Sequence, residues 1–307
     1  MADKTHQVIV IGAGPAGLSA AIYLHRGGVQ ALTLERALPG GQVINTIEIA
    51  NYPGFPEGIS GADLVSRMHQ QALRFGAEME TAEVSAIKKS GDGFLVKTTL
   101  GEYQAEAVIL ASGSTPRKLD APGEREFLGR GVSYCGTCDA PFFKGKDVVS
   151  VGGGDVALEE AIHLAKFAHS VTMVHRRDRF RGTQILQDEV RSLPNLSFAL
   201  ESVVESISGA DKVERVMLKN VRTSQRSELE TDGVFIFVGY RPNSGPVRGL
   251  AELDEAGAVV TNSAMETSQQ GLYAVGDVRK NSFRQIVTAA GDGATAAMAA
   301  IRRFRPY

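Results

Sequence analysis

Two glycine-rich turns 140 residues apart, at Gly12 and Gly152, restrict what this chain can fold into. Residues 8–24 read VIVIGAGPAGLSAAIYL, an apolar strand-like run, then Gly12-Ala13-Gly14-Pro15-Ala16-Gly17, then a small, apolar segment with helical spacing. In a strand-turn-helix unit of this kind the first glycine makes the turn, the second admits a pyrophosphate to the backbone and the third packs the helix close. The same G-x-G-x-x-G spacing also arises as a purely structural tight turn, so context has to choose. Here the strand Val8–Ile11 precedes the turn, and 21 residues after Gly14 the strand Ala31–Leu34 ends at Glu35. A carboxylate at that place can accept both hydroxyls of an adenosine ribose.

The second unit repeats the plan. Asp147–Val151 reads as a buried strand, Gly152-Gly153-Gly154-Asp155-Val156-Ala157 as the turn, Val156–Ala168 as a helix and Ser170–Val174 as the next strand. The same offset of 21 from Gly154 lands on His175, followed by Arg176, Arg177, Arg179 and Arg181. These cations read either as a solvated basic face or as a site for a dianionic 2'-phosphate, and their register with the glycine turn favours the phosphate. The two nucleotide sites then have opposite charge preference, FAD for the half with Glu35 and NADPH for the half with the arginines.

The expected fold class is α/β, with two doubly wound, Rossmann-like dinucleotide-binding domains. At 307 residues two domains are the better fit to a single chain. The runs Phe94–Leu100, Ala107–Ala111 and Gly233–Val238 read as strands, the last two as strands covered on both faces, and Ala289–Ile301 as a closing helix. The 34 glycines exceed the roughly 21 that average usage would give, and much of the excess sits in the turns, at Gly40-Gly41, beside Cys135 and at Gly276. With 33 Lys+Arg against 35 Asp+Glu, nothing in the net charge of -2 points to nucleic acid. The apolar run at 8–24 is broken by glycine and proline and falls short of the ~20 residues a membrane span needs. A cytoplasmic protein without a membrane partner is therefore expected.

Both cysteines lie in Ser133-Tyr134-Cys135-Gly136-Thr137-Cys138-Asp139. Zinc would need two further ligands, and His163 and His169, expected inside one helix, would face different directions at a separation of six, so no metal is expected. A C-x-x-C in an α/β chain reads instead as a dithiol/disulfide couple. Asp139 beside it is either turn chemistry or a proton donor and acceptor for a thiol, and the second reading is preferred.

Together GAGPAG, GGQ at 40–42, NYPGFPEGISG at 51–61, CGTCD, GGGDVALEEA, HRRDRFRG, GLYAVGDVR and RQIVTAAGDGA resemble the low-molecular-weight, bacterial-type thioredoxin reductases, over nearly the whole chain. The resemblance implies an FAD domain from residues 1–114 and 245–307, with an NADPH domain carrying the redox cysteines inserted at 115–244. It implies FAD contacts from Gly12, Gly14, Gly17, Glu35, Gly40, Gly41, Gln42, Asn51, Val84, Gly276, Asp277, Arg284, Gln285 and Ile286. NADPH contacts would come from Gly152, Gly154, Asp155, Val156, His175, Arg176, Arg177 and Arg181. Cys138 would exchange electrons with the flavin, Cys135 would attack the disulfide of thioredoxin, and the enzyme would be a homodimer. Because the cysteines and the nicotinamide site share a domain and need one flavin, the resemblance also implies a hinge motion near Thr115 and Ser244. A first strand beginning by Val8 carries the expectation that no thioredoxin-like domain precedes it.

The chain departs from the common pattern at Gly136, where Ala is more usual, at Ala140-Pro141 in place of a Gly, and at Val156. Such changes bear on the disulfide's potential and on partner preference. Two other functions use the same parts. A flavin-dependent dithiol oxidase would have no use for a 2'-phosphate site, and a non-catalytic nucleotide-sensing flavoprotein would have no use for an intact C-x-x-C with Asp139.

Overall fold

The computed structural model describes residues 5–46 and 48–305, which form two compact units, one from residues up to 115 together with those from 241 onward, and one from 116 to 240. In the first unit β1 (Thr5–Ile11) runs into α1 (Pro15–Arg26) and β2 (Ala31–Glu35), the βαβ start read from the sequence. Then come α2 (Gly61–Arg74), β3 (Glu78–Thr81), β4 (Val84–Ser90), β5 (Gly93–Thr98) and β6 (Gly101–Leu110). The helix α2 begins at Ser60, whose Oγ accepts the Asp63 N–H at 3.0 Å and satisfies one of the donors a helix start leaves unpaired.

The chain leaves this unit in β7 (Ser114–Pro116) and builds the second from β8 (Val132–Ser133), α3 (Gly136–Asp139), β9 (Asp147–Gly152), α4 (Asp155–Ala165), β10 (Ser170–Val174), α5 (Gln184–Ser192) and β11 (Leu196–Ala199). There follow β12 (Ser202–Ser208), β13 (Arg215–Asn220), β14 (Arg226–Glu230) and β15 (Gly233–Phe237). It returns through β16 (Tyr240–Pro242) and ends the first unit with β17 (Leu272–Ala274) and α6 (Ile286–Phe304).

The first sheet has the order β3-β2-β1-β6-β5-β4, with β17 beside β6. The long β6 pairs with β1 on one side and, on the other, with antiparallel β5 through its first half and with parallel β17 through its second. Because side chains alternate along a strand, Val8 and Val10 enter one core while Ile9 and Ile11 enter the other. Val8, Ile9 and Val10 are 0% exposed, and each such side chain contributes roughly 1.5–3 kcal/mol when fully buried. The first core is closed by α1 and α6 through Ala16, Ala20, Leu24, Ala296, Ala297 and Ala300. Small residues let these helices pack closely, and a Cβ on Gly293 would overlap the Ala16 carbonyl.

The second unit is a parallel sheet of order β11-β10-β9-β15-β8. Ala157, Leu158, Ala161 and Leu164 of α4 pack on Val148, Val171, Met173 and Phe235 on one face. The opposite face is covered by a separate antiparallel sheet, β12-β13-β14, which places Val204, Ile207, Val216 and Leu218 against Val149, Val151, Val234 and Ile236. One expectation is corrected here: α4 stops at Ala165, and His169, expected inside it with His163, lies in the turn before β10. Lys166 takes the cap position and its N–H bonds back to His163 O, tightening the end of the helix.

Candidate active site

In the first unit β1, β2, β6 and β17 are mutually parallel, so their carboxyl ends share one edge of the sheet, where doubly wound folds bind ligands. Gly12 follows β1, Glu35 ends β2, Ala111 follows β6 and Gly276 lies two residues beyond β17. The three turn glycines do different jobs. Gly12 has φ +103°, and a Cβ there would press on the Ala111 carbonyl; a Cβ on Gly17 would overlap the Gly12 carbonyl. Gly14, the N-cap of α1, has no atom within 4 Å of where its Cβ would stand. Protein packing therefore explains glycine at 12 and 17 but not at 14, and the open cradle at the start of α1 fits a pyrophosphate.

Glu35 is fixed by the same turn: its Oε2 accepts the Ala13 N–H at 2.7 Å and its Oε1 the Ala37 N–H at 3.1 Å. Gly40 donates to Ala13 O at 2.8 Å and Gly41 lies against Gly14, so the GGQ turn crosses the glycine turn. Both have positive φ, +127° and +59°, and a Cβ on Gly40 would press on Val65. Gln42 donates through Nε2 to Ser114 O. Asn51 Nδ2 donates to Gln285 Oε1 at 3.1 Å, bringing together two residues 234 apart in the chain. Ile286 packs against the cluster of Ala13 and Leu18, whereas Val84 begins β4, paired with Thr98 of β5, and its half-buried side chain packs against the core that holds Ile87, Phe94 and Val96.

The Gly276-Asp277 turn is held by residues that the sequence reading did not single out. Asp292 on α6 accepts the Gly276 N–H at 3.1 Å and a two-pronged pair from Arg279, at 2.5 and 3.0 Å. The Asp277 carboxyl accepts from Ser282 Oγ at 3.1 Å; burial raises its pKa, and the Ser282 bond and the nearby Arg284 oppose that shift.

In the second unit the carboxyl ends of β8, β9, β10 and β15 again share one edge. The turn after β9 mirrors the first. A Cβ on Gly152 would strike Ala157 and the Phe237 carbonyl, whereas Gly154, the N-cap of α4, has nothing within 4 Å. The arginine loop folds back onto this turn, with Arg181 N and Gly182 N donating to Gly153 O at 2.6 and 3.2 Å and Thr183 N donating to Asp155 Oδ1 at 2.7 Å. Arg176, Arg177, Arg179 and Arg181 are exposed beside the open α4 terminus, as is Val156. His175 is placed differently from its neighbours. Its ring is buried against Phe180, at 5.5 Å between centroids, and fills the space beside Gly153. Burial, then Arg181, Arg177 and Arg176, push its pKa down, so it holds the turn as a neutral ring while the arginines carry the charge.

The cysteines follow β8 directly. They form a disulfide with Cα atoms 5.3 Å apart, half-buried, and Cys138 N donates to Cys135 Sγ at 3.2 Å. Ser133 Oγ donates to Asp139 Oδ2 at 2.5 Å and accepts the Cys135 N–H at 3.0 Å, tying the carboxyl to the first cysteine. Burial raises the pKa of Asp139, and the Ser133 bond opposes that rise. A carboxyl held toward its neutral form beside a disulfide can give a proton to a leaving thiolate and take it back. Ser133 and Glu160, which meets the Gly136-Thr137 backbone, were not read from the sequence; both lie inside or next to the quoted motifs.

The pyridine nucleotide-disulphide oxidoreductase family matches residues 6–293. The chain is 46% identical over 296 residues to the thioredoxin reductase of Bacillus subtilis (strain 168), covering 96% of this chain and 93% of the relative. It is 44% identical over 298 residues to that of Treponema pallidum (strain Nichols), covering 97% of each. Among solved structures it is similar to the crystal structure of thioredoxin reductase from Streptococcus pyogenes MGAS5005, with a TM-score of 0.95, 41% identity and 100% of each chain covered.

Proposed function

The chain belongs to the pyridine nucleotide-disulphide oxidoreductase family, and we propose that it is an enzyme that reduces the disulfide of thioredoxin with NADPH, through FAD and the Cys135–Cys138 pair. One observation carries this reading. A single sheet edge in the second unit holds both an arginine-flanked, open glycine turn and a half-buried disulfide with a carboxyl hydrogen-bonded beside it. An oxidase of small thiols would not need the first, and a nucleotide sensor would not need the second.

FAD, when bound, supplies the two-electron relay between nicotinamide and disulfide. Gly14, Glu35, the GGQ turn, the Asn51–Gln285 pair and the Gly276-Asp277 turn would hold it. Gly154 and the start of α4 would take the NADPH pyrophosphate, and Arg176, Arg177 and Arg181 its 2'-phosphate. Opening of the disulfide leaves two sulfurs of unequal role: Cys135 attacks the thioredoxin disulfide, Cys138 closes the bridge again, and Asp139 carries the proton. The enzyme acts as a cytoplasmic homodimer, in keeping with the family resemblance; no helix among the described residues is long and apolar enough to cross a membrane.

Anaerobic addition of NADPH to the flavin-loaded protein is expected to bleach the flavin absorption band, and oxidised thioredoxin to restore it. A band that NADPH leaves unchanged would contradict the proposal.

A further inference from the structure

Between the cysteines the chain reads Gly136-Thr137, and a carboxylate from another element fills the space beside this backbone. Thr137 Oγ1 donates to Glu160 Oε1 at 3.4 Å, although Glu160 lies on α4, 23 residues away in the chain. A Cβ on residue 136 would overlap Glu160 Oε2 and stand 3.3 Å from the Phe237 ring. Gly136 is therefore what lets the carboxylate reach the turn, and its φ is not among the positive values that would call for glycine on backbone grounds. Oε2 itself is buried without a hydrogen-bond partner. Burial pushes the Glu160 pKa up, and Thr137 and the Gly136 amide oppose that rise without closing a bond on Oε2. An under-satisfied buried carboxylate costs stability, and an amide or apolar side chain would avoid much of that cost.

We propose that Glu160 and Gly136 act as a pair that sets the redox equilibrium of the Cys135–Cys138 couple, the glycine leaving room for a carboxylate that disfavours the reduced form. This rests on the reading of the two cysteines as the redox pair and adds the residue that tunes them. Reduction breaks the S–S bond with two electrons from reduced flavin and two protons, giving two thiols, one of which releases a proton to leave a thiolate. Burial raises the Glu160 pKa, so the effect is read at a pH where the group is ionised; its negative charge beside the turn then raises the free energy of that thiolate and leaves the uncharged disulfide nearly unaffected. The carboxylate also lies against the backbone between the cysteines, with the Thr137 hydroxyl as its donor, so its charge stands beside the amides that would otherwise serve a thiolate. The couple becomes more reducing and passes electrons more readily to a partner disulfide. Glu160 is thus a positioning residue, acting on the sulfurs through the turn and through its charge.

The test equilibrates the full chain anaerobically in dithiothreitol redox buffers, alkylates free thiols and reads the alkylated fraction by mass. E160Q keeps the shape and removes the charge, and is expected to move the midpoint about tenfold in buffer ratio toward the dithiol, about 30 mV for a two-electron couple. G136A should move it the same way, because the methyl group displaces the carboxylate, and the double variant should go no further than E160Q alone. An E160Q midpoint within twofold of the parent would overturn the inference, as would shifts of the two single variants that simply add. If G136A does not fold, the E160Q midpoint decides by itself. A parent protein whose cysteines show no reversible couple would contradict the underlying redox reading instead, which keeps the two failures distinguishable.

Discussion

Ser133 Oγ donates to Asp139 Oδ2 at 2.5 Å, which fixes a carboxyl beside the disulfide before any partner arrives. Burial is the larger influence on Asp139 and lifts its pKa above the ordinary carboxyl value. The folded state therefore binds this proton more tightly than the unfolded one, and the group's contribution to stability, present below the unfolded pKa, is lost as pH rises through the folded pKa. Asp139→Asn removes that dependence. Melting the oxidised parent and variant from pH 4 to pH 8 should show the variant gaining on the parent as pH rises; a constant difference would contradict the burial-driven shift. In turnover the same variant should lose about a hundredfold in kcat with thioredoxin, while NADPH still bleaches the flavin.

The arginine loop makes a separable prediction about the nucleotide. Arg176 and Arg177 stand exposed beside the α4 terminus, while His175 is buried behind the turn. Replacing both arginines by alanine should raise KM for NADPH at least tenfold and leave KM for NADH within about twofold, since charge-assisted bonds to phosphate contribute about 1.5–3 kcal/mol each. An unchanged NADPH to NADH preference in steady-state assays would remove the 2'-phosphate assignment.

Glycines 14 and 17 separate ligand from packing. The Gly14 Cβ position is open, whereas that of Gly17 overlaps the Gly12 carbonyl. Gly14→Ala should melt within a few degrees of the parent when both are stripped of flavin, because an N-cap change of this kind costs about 1 kcal/mol or less, and should bind FAD at least tenfold more weakly. Gly17→Ala should lower the melting temperature of the stripped protein itself. Equal loss of stability in the two variants would assign both glycines to packing.

Asp292 is expected to matter although it touches no ligand in this account. Its pair with Arg279 has side chains only 10% and 17% exposed, and it also holds the Gly276 N–H. Asp292→Asn leaves a largely buried guanidinium without its counter-charge, at about 3–5 kcal/mol. Thermal melting should fall by about 10 °C and the purified protein should carry less flavin. Parent-like melting and flavin content would show that the Gly276-Asp277 turn is held by other means.

What the sequence made legible is what depends on local backbone demands. The glycine turns, the strand-ending Glu35 and the C-x-x-C each announce their geometry within a few residues, and the fixed 21-residue offset carried the two nucleotide assignments. His175 shows the limit: it continues the arginine cluster in the chain, yet its side chain turns inward at the end of β10, and no pattern of charges reveals that. The Asp292–Arg279 pair and the approach of Glu160 to Gly136 depend on how α6 and α4 pack, across separations of 13 and 24 residues. The end of α4 at Ala165 was hidden because the following Lys166-Phe167-Ala168 has ordinary helix-forming composition.

The central claim is that electrons pass from NADPH to thioredoxin through Cys135 and Cys138. It is tested most directly by counting thioredoxin thiols formed per NADPH consumed, anaerobically, with the flavin-loaded parent and with Cys138→Ser. The account predicts two thiols per NADPH for the parent and no catalytic thiol formation for the variant, whose flavin NADPH still bleaches. Sustained reduction of thioredoxin by the variant, or NADPH consumption without thiols in the parent, would contradict it.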